Sequence, residues 1–209
     1  VNQRLDAVRV YQRLAATRGP RDAMVRRLLH LWGPRASPAA RRWLADRASA
    51  AKGSDRIQWL RHLFWAGGGE AALAALAKIR PAVATVNLQL DILTKLRRYA
   101  DVGGLSERVV DALSSRQTVR RLAAVCAANG KTKPAQRAYR RLLQLVPSDP
   151  LALRYLAQTA RSKSVQASYW GTYLALPRQQ RRGGSWRDRV AYGEALLSDG
   201  TRRQEGEQQ

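Results

Sequence analysis

Val119-Arg120-Arg121-Leu122-Ala123-Ala124-Val125-Cys126, then Ala135-Gln136-Arg137-Ala138-Tyr139, then Pro147, is the stretch on which the fold reading turns. Val119, Leu122, Ala123 and Cys126 recur at three- and four-residue steps, the spacing of one buried helical face. Gly130 lies where a tight turn must reverse the chain. Ala135 lets a second helix approach the first closely, Tyr139 fills the space one turn on, and Pro147 stops that helix. The unit is therefore a helical hairpin. Leu153, Leu156 and Ala157 begin another in the same phase.

These residues resemble a tetratricopeptide repeat (TPR). In that family a large residue, two spacers, Leu-Gly, two spacers and Tyr form helix A, and Ala, three spacers and an aromatic form helix B, with a proline eight residues later. Here Val119, Ala123 and Cys126 are the milder occupants of helix A. The resemblance is clearest over about residues 116–160. In the next copy Tyr169 and Pro177 arrive about four residues early, so that copy has lost about one turn. Gly67 with Ala72, Leu76 and Ile79 repeats the order of Gly130 with Ala135, Tyr139 and Leu142 more faintly.

Working outward, helix signals recur along the whole chain. Leu5, Val8, Tyr11 and Leu14 form a first apolar face that ends at Gly19-Pro20, and a second helix from about Asp22 ends at Gly33-Pro34. Ser37-Pro38 reads as an N-cap followed by proline at the first helical position, opening a helix that runs to Gly53. Ser54 is expected to cap a helix through Ile57, Leu60, Phe64 and Trp65, which Gly67-Gly68-Gly69 closes. A long pattern from Val83 to Leu96 is expected to stop at Gly103-Gly104, with Ser106 capping a helix through Val109, Val110 and Leu113. Ile, Val and Thr together make 25 of 209 residues whereas Ala alone makes 34, and no stretch alternates long enough to read as a strand. Ten to twelve short helices are expected, with a period in the mid-thirties.

The expected fold is accordingly all-α, an α-solenoid of antiparallel helical hairpins forming a TPR-like superhelix. Residues 1–200 are read as a single helical repeat domain, complete or part of a longer array, and residues 201–209 as a polar tail or a truncated repeat.

Charge is the strongest compositional signal. Lys and Arg number 38 against 15 Asp and Glu, a net charge of +23, and 45% of residues are apolar, so a folded cationic protein is expected rather than a disordered basic tail. A single cysteine, Cys126, excludes an internal disulfide framework and a multi-thiolate zinc site. No apolar run is long enough to span a bilayer. A soluble protein of the bacterial periplasm or cytoplasm is the expected setting.

Catalytic chemistry finds no foothold in the pattern. His30 and His62 are the only histidines and neither shares a short motif with Cys126 or a carboxylate. Gly67-Gly68-Gly69-Glu70 lacks the Gly-Lys-Ser/Thr ending of a phosphate loop and follows a helix. Acidic residues are scattered singly, several in first turns where they suit the helix dipole. The reading is a non-enzyme with no catalytic residue, no metal site and no cofactor.

The basic residues are expected to face a partner. Arginine outnumbers lysine 32 to 6, and its planar fork recognises carboxylate or phosphate by paired hydrogen bonds. The TPR resemblance puts concave, ligand-facing helix A positions at Gln117, Arg120, Ala124 and Ala127, then at Leu151, Arg154, Gln158 and Arg161. Gln117, Arg120, Arg154, Gln158 and Arg161 are thus the expected partner-binding groove. Some TPR domains clamp a peptide's terminal carboxylate with basic and Asn side chains; the Asn position is Ala124 here, so that clamp is not carried over.

What the resemblance implies is a scaffold or adaptor that binds a protein partner with an acidic surface or segment. The chain is also similar to the periplasmic TPR regions of bacterial secretion and exopolysaccharide-export proteins, which implies a place in such an assembly. The competing reading is a polyanion binder for RNA or anionic polysaccharide. In it Arg contacts phosphates while Trp32, Trp43, Trp59, Trp65, Trp170 and Trp186 stack on bases or sugar rings instead of filling the core.

Overall fold

The structure, a computed structural model, describes residues 2–20, 23–32, 36–177, 179, 181 and 186–198. The side chains of Leu5 and Trp186, the residues Asp22, Gly33 and Pro34, and the expected tail at 201–209 lie outside the described residues. Among the described residues there are twelve α-helices and no strand. They are α1 (Asn2–Arg18), α2 (Ala23–Trp32), α3 (Pro38–Ala50), α4 (Gly53–Trp65), α5 (Gly69–Leu76), α6 (Val83–Lys95), α7 (Tyr99–Val109), α8 (Arg116–Ala128), α9 (Thr132–Leu145), α10 (Pro150–Thr159), α11 (Lys163–Ala175) and α12 (Trp186–Ser198), with a 3₁₀ turn at Val110–Ala112. The chain divides into two compact units, Val1–Arg97 and Arg98–Gln209. Within each, helices adjacent in sequence pack on one another, as in a TPR-like α-solenoid.

The first unit stacks α1 on α2, α3 on α4, and α4 on α5 and α6. Ser37 caps α3 by accepting from the Ala40 N–H at 3.2 Å, with Pro38 at the first helical position, as its sequence requires. Leu44, Leu60, Leu63, Leu76, Leu88 and Ile92 fill the interior. Along one side runs a chain of edge-to-face rings from Trp32 to Trp43 (5.7 Å), Trp59 (5.6 Å), His62 (5.9 Å) and Trp65 (5.7 Å). Arg47 sits 5.5 Å over the Trp43 ring. Tryptophan in this unit is therefore mainly core, and Trp65 alone among the described tryptophans is mostly exposed, at 54%.

His62 is buried in that ring chain. Its Nε2–H donates to the Pro20 carbonyl at 2.7 Å, which ties α4 to the turn after α1 and leaves Nδ1 without a partner. Burial pushes its pKa below the ordinary imidazole value. His30, by contrast, is exposed.

The second unit packs α7 on α8 and α9, α8 on α9, α9 on α10, α10 on α11, and α11 on α12. Val119, Leu122, Ala123 and Cys126 of α8 meet Ala135, Ala138, Tyr139 and Leu142 of α9, all buried. Burial also pushes the Cys126 thiol up, so it stays protonated and serves packing. Tyr139 reaches the next hairpin, its ring 4.6 Å from that of Tyr155 on α10. In α11 the buried face carries Ala167, Trp170 and Tyr173, while Tyr169 is only half-buried. The aromatic anchor of this degenerate copy is thus the Trp170–Tyr173 pair (5.7 Å).

Two hairpin turns share one device. After α8, Gly130 takes φ 68°, the Lys131 N–H donates to the Cys126 carbonyl at 2.9 Å and the Gly130 N–H to that of Ala127 at 3.2 Å. After α4, Gly67 takes φ 86° with the same pair of bonds, from Gly68 to Leu63 and from Gly67 to Phe64. After α6 the left-handed residue is Arg97, at φ 58°. The expected boundary at Gly103-Gly104 is corrected here: α6 ends at Lys95, and both glycines lie inside α7. Gly103 is buried beside Pro134 of α9. Ser106 caps nothing; it is buried within α7, and its hydroxyl donates to the Pro134 carbonyl at 3.5 Å. Ser54 likewise lies inside the first turn of α4, whose N-cap position is Lys52, and α3 ends at Ala50 rather than Gly53.

Four stability outcomes follow, read by urea unfolding. Arg97→Gly should stabilise by up to about 1 kcal/mol and Gly130→Ala should destabilise by about as much, because only glycine takes the left-handed conformation without a Cβ clash. His62 binds its proton less readily folded than unfolded, so stability should be complete above pH ~6.5 and decline as pH falls below it. His62→Phe, measured by tryptophan fluorescence, should be less stable than the parent at neutral pH but lose less between neutrality and pH ~5.5.

Candidate functional site

The expected groove residues are distributed over α8, α10 and the turn that follows α10. Gln117 is exposed in the first turn of α8 and Gln158 is exposed near the end of α10. Arg161 is exposed in the α10–α11 turn. Ala124 is exposed and Ala127 half-buried on α8, and Leu151 is exposed at the start of α10.

Arg120 and Arg154 are held from within the fold. Arg120 ion-pairs through Nη2 with Oδ2 of Asp149, a carboxylate 1% exposed. Asp149 is also the N-cap of α10: its Oδ1 accepts from the Leu151 N–H at 3.1 Å and the Ala152 N–H at 3.0 Å, with Pro150 opening the helix. One buried carboxylate therefore binds a helix A to the start of the next helix A. Arg154 occupies the equivalent place one repeat of about 34 residues later. It pairs at 3.2 Å with Oδ1 of Asp188, 3% exposed, in the first turn of α12. The sequence pattern carried a signal for the first of these links, since Asp149-Pro150 is a strong helix-start dipeptide, but not for the cation that would reach it.

Helix α9 sends its cations to two sides. Arg137 ion-pairs with Asp111, and its guanidinium holds that exposed carboxyl below the usual carboxylate range. Arg141, one turn on, donates from Nε and Nη2 to the Leu113 carbonyl at 3.2 and 3.1 Å and from Nη1 to Gln144 at 3.0 Å. These bonds fasten α9 to the segment between α7 and α8.

Among the described residues no cluster of three or more His, Cys, Asp or Glu side chains is placed to hold a metal ion, and no helix is long and apolar enough to cross a membrane.

A hairpin whose small, large and turn residues recur in this order, linked to the next by its first helix, defines a helical repeat protein. The tetratricopeptide repeat family model matches residues 116–159, which cover α8, α9 and α10. That family is generally non-catalytic, and the match points to protein interaction. A search of curated proteins and a search of solved structures each gave no match.

Asp149→Ala removes a cap and the partner of Arg120 together and should destabilise by about 2 kcal/mol, whereas Asp149→Asn, which keeps the capping oxygen, should lose roughly half of that. Chemical denaturation of the two variants measures both.

Proposed function

We propose that the chain is a non-enzymatic scaffold or adaptor whose helical repeats hold a protein partner that presents an acidic surface or segment. The observation that carries this reading is the TPR match at residues 116–159, set in a unit whose neighbouring helices continue the same hairpin packing. The net charge of +23 supports an acidic partner, because a folded surface this cationic gains by neutralisation. In this reading the groove is formed by Gln117, Arg120, Arg154, Gln158 and Arg161, with Arg120 and Arg154 also tying the repeats together. A secretion or exopolysaccharide-export assembly in a bacterial envelope is the setting we favour.

The polyanion reading relies on tryptophan stacking, and packing of Trp59 and Trp170 in the core weakens it. Selection of peptides from a random display library on the full chain tests the scaffold. Selected peptides should compete for one site, and Gln117→Glu/Gln158→Glu should weaken them about tenfold without lowering thermal stability. Failure to select any competing peptide, together with RNA or polysaccharide binding that falls in equal small steps as each exposed Arg is removed, would give the polyanion reading the place of the scaffold.

A further inference from the structure

The richest unassigned feature of the second unit lies on α9 and the start of α11, and it adjoins the expected groove at Arg161. A cavity of about 350 Å³ is lined by Lys133, Gln136 and Arg140 of α9 and by Ala160, Arg161, Ser162 and Val165 at the α10–α11 turn. Lys133, Gln136 and Arg140 are spaced three and four residues apart and so share one face of α9. Arg137 and Arg141, engaged with Asp111 and Leu113, lie on the adjoining flank of α9 that is turned toward the segment before α8.

Three cations line this space and no carboxylate does. Among the described residues, Lys133, Arg140 and Arg161 have no ion-pair partner, unlike Arg120, Arg137 and Arg154. The wall between them is stiffly built. Gln136 donates to the Thr159 carbonyl at 2.7 Å and to the Thr159 hydroxyl oxygen at 3.2 Å, while Gln166 donates to the Ala160 carbonyl at 2.7 Å. The Thr159 and Ala160 carbonyls each already accept a side-chain donor. Ser162 stands at the N-cap of α11 and its side chain caps none of the first-turn N–H groups, which leaves donors of positive polarity on that wall. Val165, 43% exposed, adds an apolar lip.

We propose that this cavity is a second docking site, which receives a carboxylate-bearing segment of the protein partner: an Asp or Glu side chain between Arg140 and Arg161, with a neighbouring apolar side chain against Val165. The proposal rests on the scaffold reading and gives it a place and a chemistry. Carboxylate suits two guanidinium forks, and the space accommodates one or two side chains rather than a continuous strand of polymer. A nucleic acid would need a longer basic track than these residues supply.

The test uses the full chain and a fluorescein-labelled peptide, Glu-Glu-Leu-Glu-Glu-Leu-Glu-Glu, read by fluorescence anisotropy at about 0.15 M salt. Lys133→Glu/Arg140→Glu, two cavity positions that are not groove residues, should weaken binding about tenfold or more. The control Arg42→Glu/Arg116→Glu, two exposed positions outside the cavity with the same change of charge, should alter it less than about twofold. Unchanged thermal melts establish that both variants fold. Equal weakening by the two variants overturns the cavity and assigns binding to diffuse charge. No binding of the peptide by the parent chain overturns the acidic-segment assignment, while the library selection decides the scaffold reading separately. Loss of binding to a single-stranded RNA oligomer in the cavity variant, with peptide binding intact, also overturns it and makes the cavity a phosphate site.

Discussion

Asp149 is the point on which the second unit hangs. Its two oxygens serve different helices: one closes the N-terminus of α10, the other receives Arg120 from α8. Neither job can be done by a neutral apolar residue, and a buried carboxylate is tolerable only because both oxygens are satisfied. Packing around it follows the same geometry, since Ala135 and Tyr139 of α9 fit between two helices whose separation this link sets. Asp188, buried in the first turn of α12, receives Arg154 in the same way.

Charge scarcity gives those two acids their weight. With 15 carboxylates against 38 cations, each acid buried in a link leaves several basic side chains to the surface. The links account for Arg120 and Arg154, and Asp111 accounts for Arg137. What stays free of ion pairs among the described residues of α9 is the face bearing Lys133 and Arg140, which is why that helix has a structural side and an open side.

Much of the hairpin at 116–160 was legible because its cues are local. Gly130 needs a left-handed backbone and Ala135 a close helix crossing, and in the first unit Ser37-Pro38 a helix start, each requirement being met by the residue itself. The α6–α7 boundary was not legible, because Arg97 occupies the conformation that glycine favours while Gly103 and Gly104 lie in a helix. The notion of glycine as a breaker fails where a buried small residue is wanted beside Pro134. The site was less legible still. Helical phase located Arg120 and Arg154, but their partners lie on the first residues of another helix, and no periodicity reports a contact of that kind. Tryptophan was ambiguous in sequence for a related reason: only packing distinguishes the buried Trp59 from the exposed Trp65.

The pairing of each helix A with the beginning of the next also gives the second unit a direction. Arg154 grips the first turn of α12 and Arg120 the N-cap of α10, both in the same sense along the chain. Under tension applied at the C-terminal side these contacts act as latches in series. α12 is released only when the Arg154–Asp188 latch opens and Ala195 and Leu196 leave the buried cluster they share with Trp170 and Tyr173.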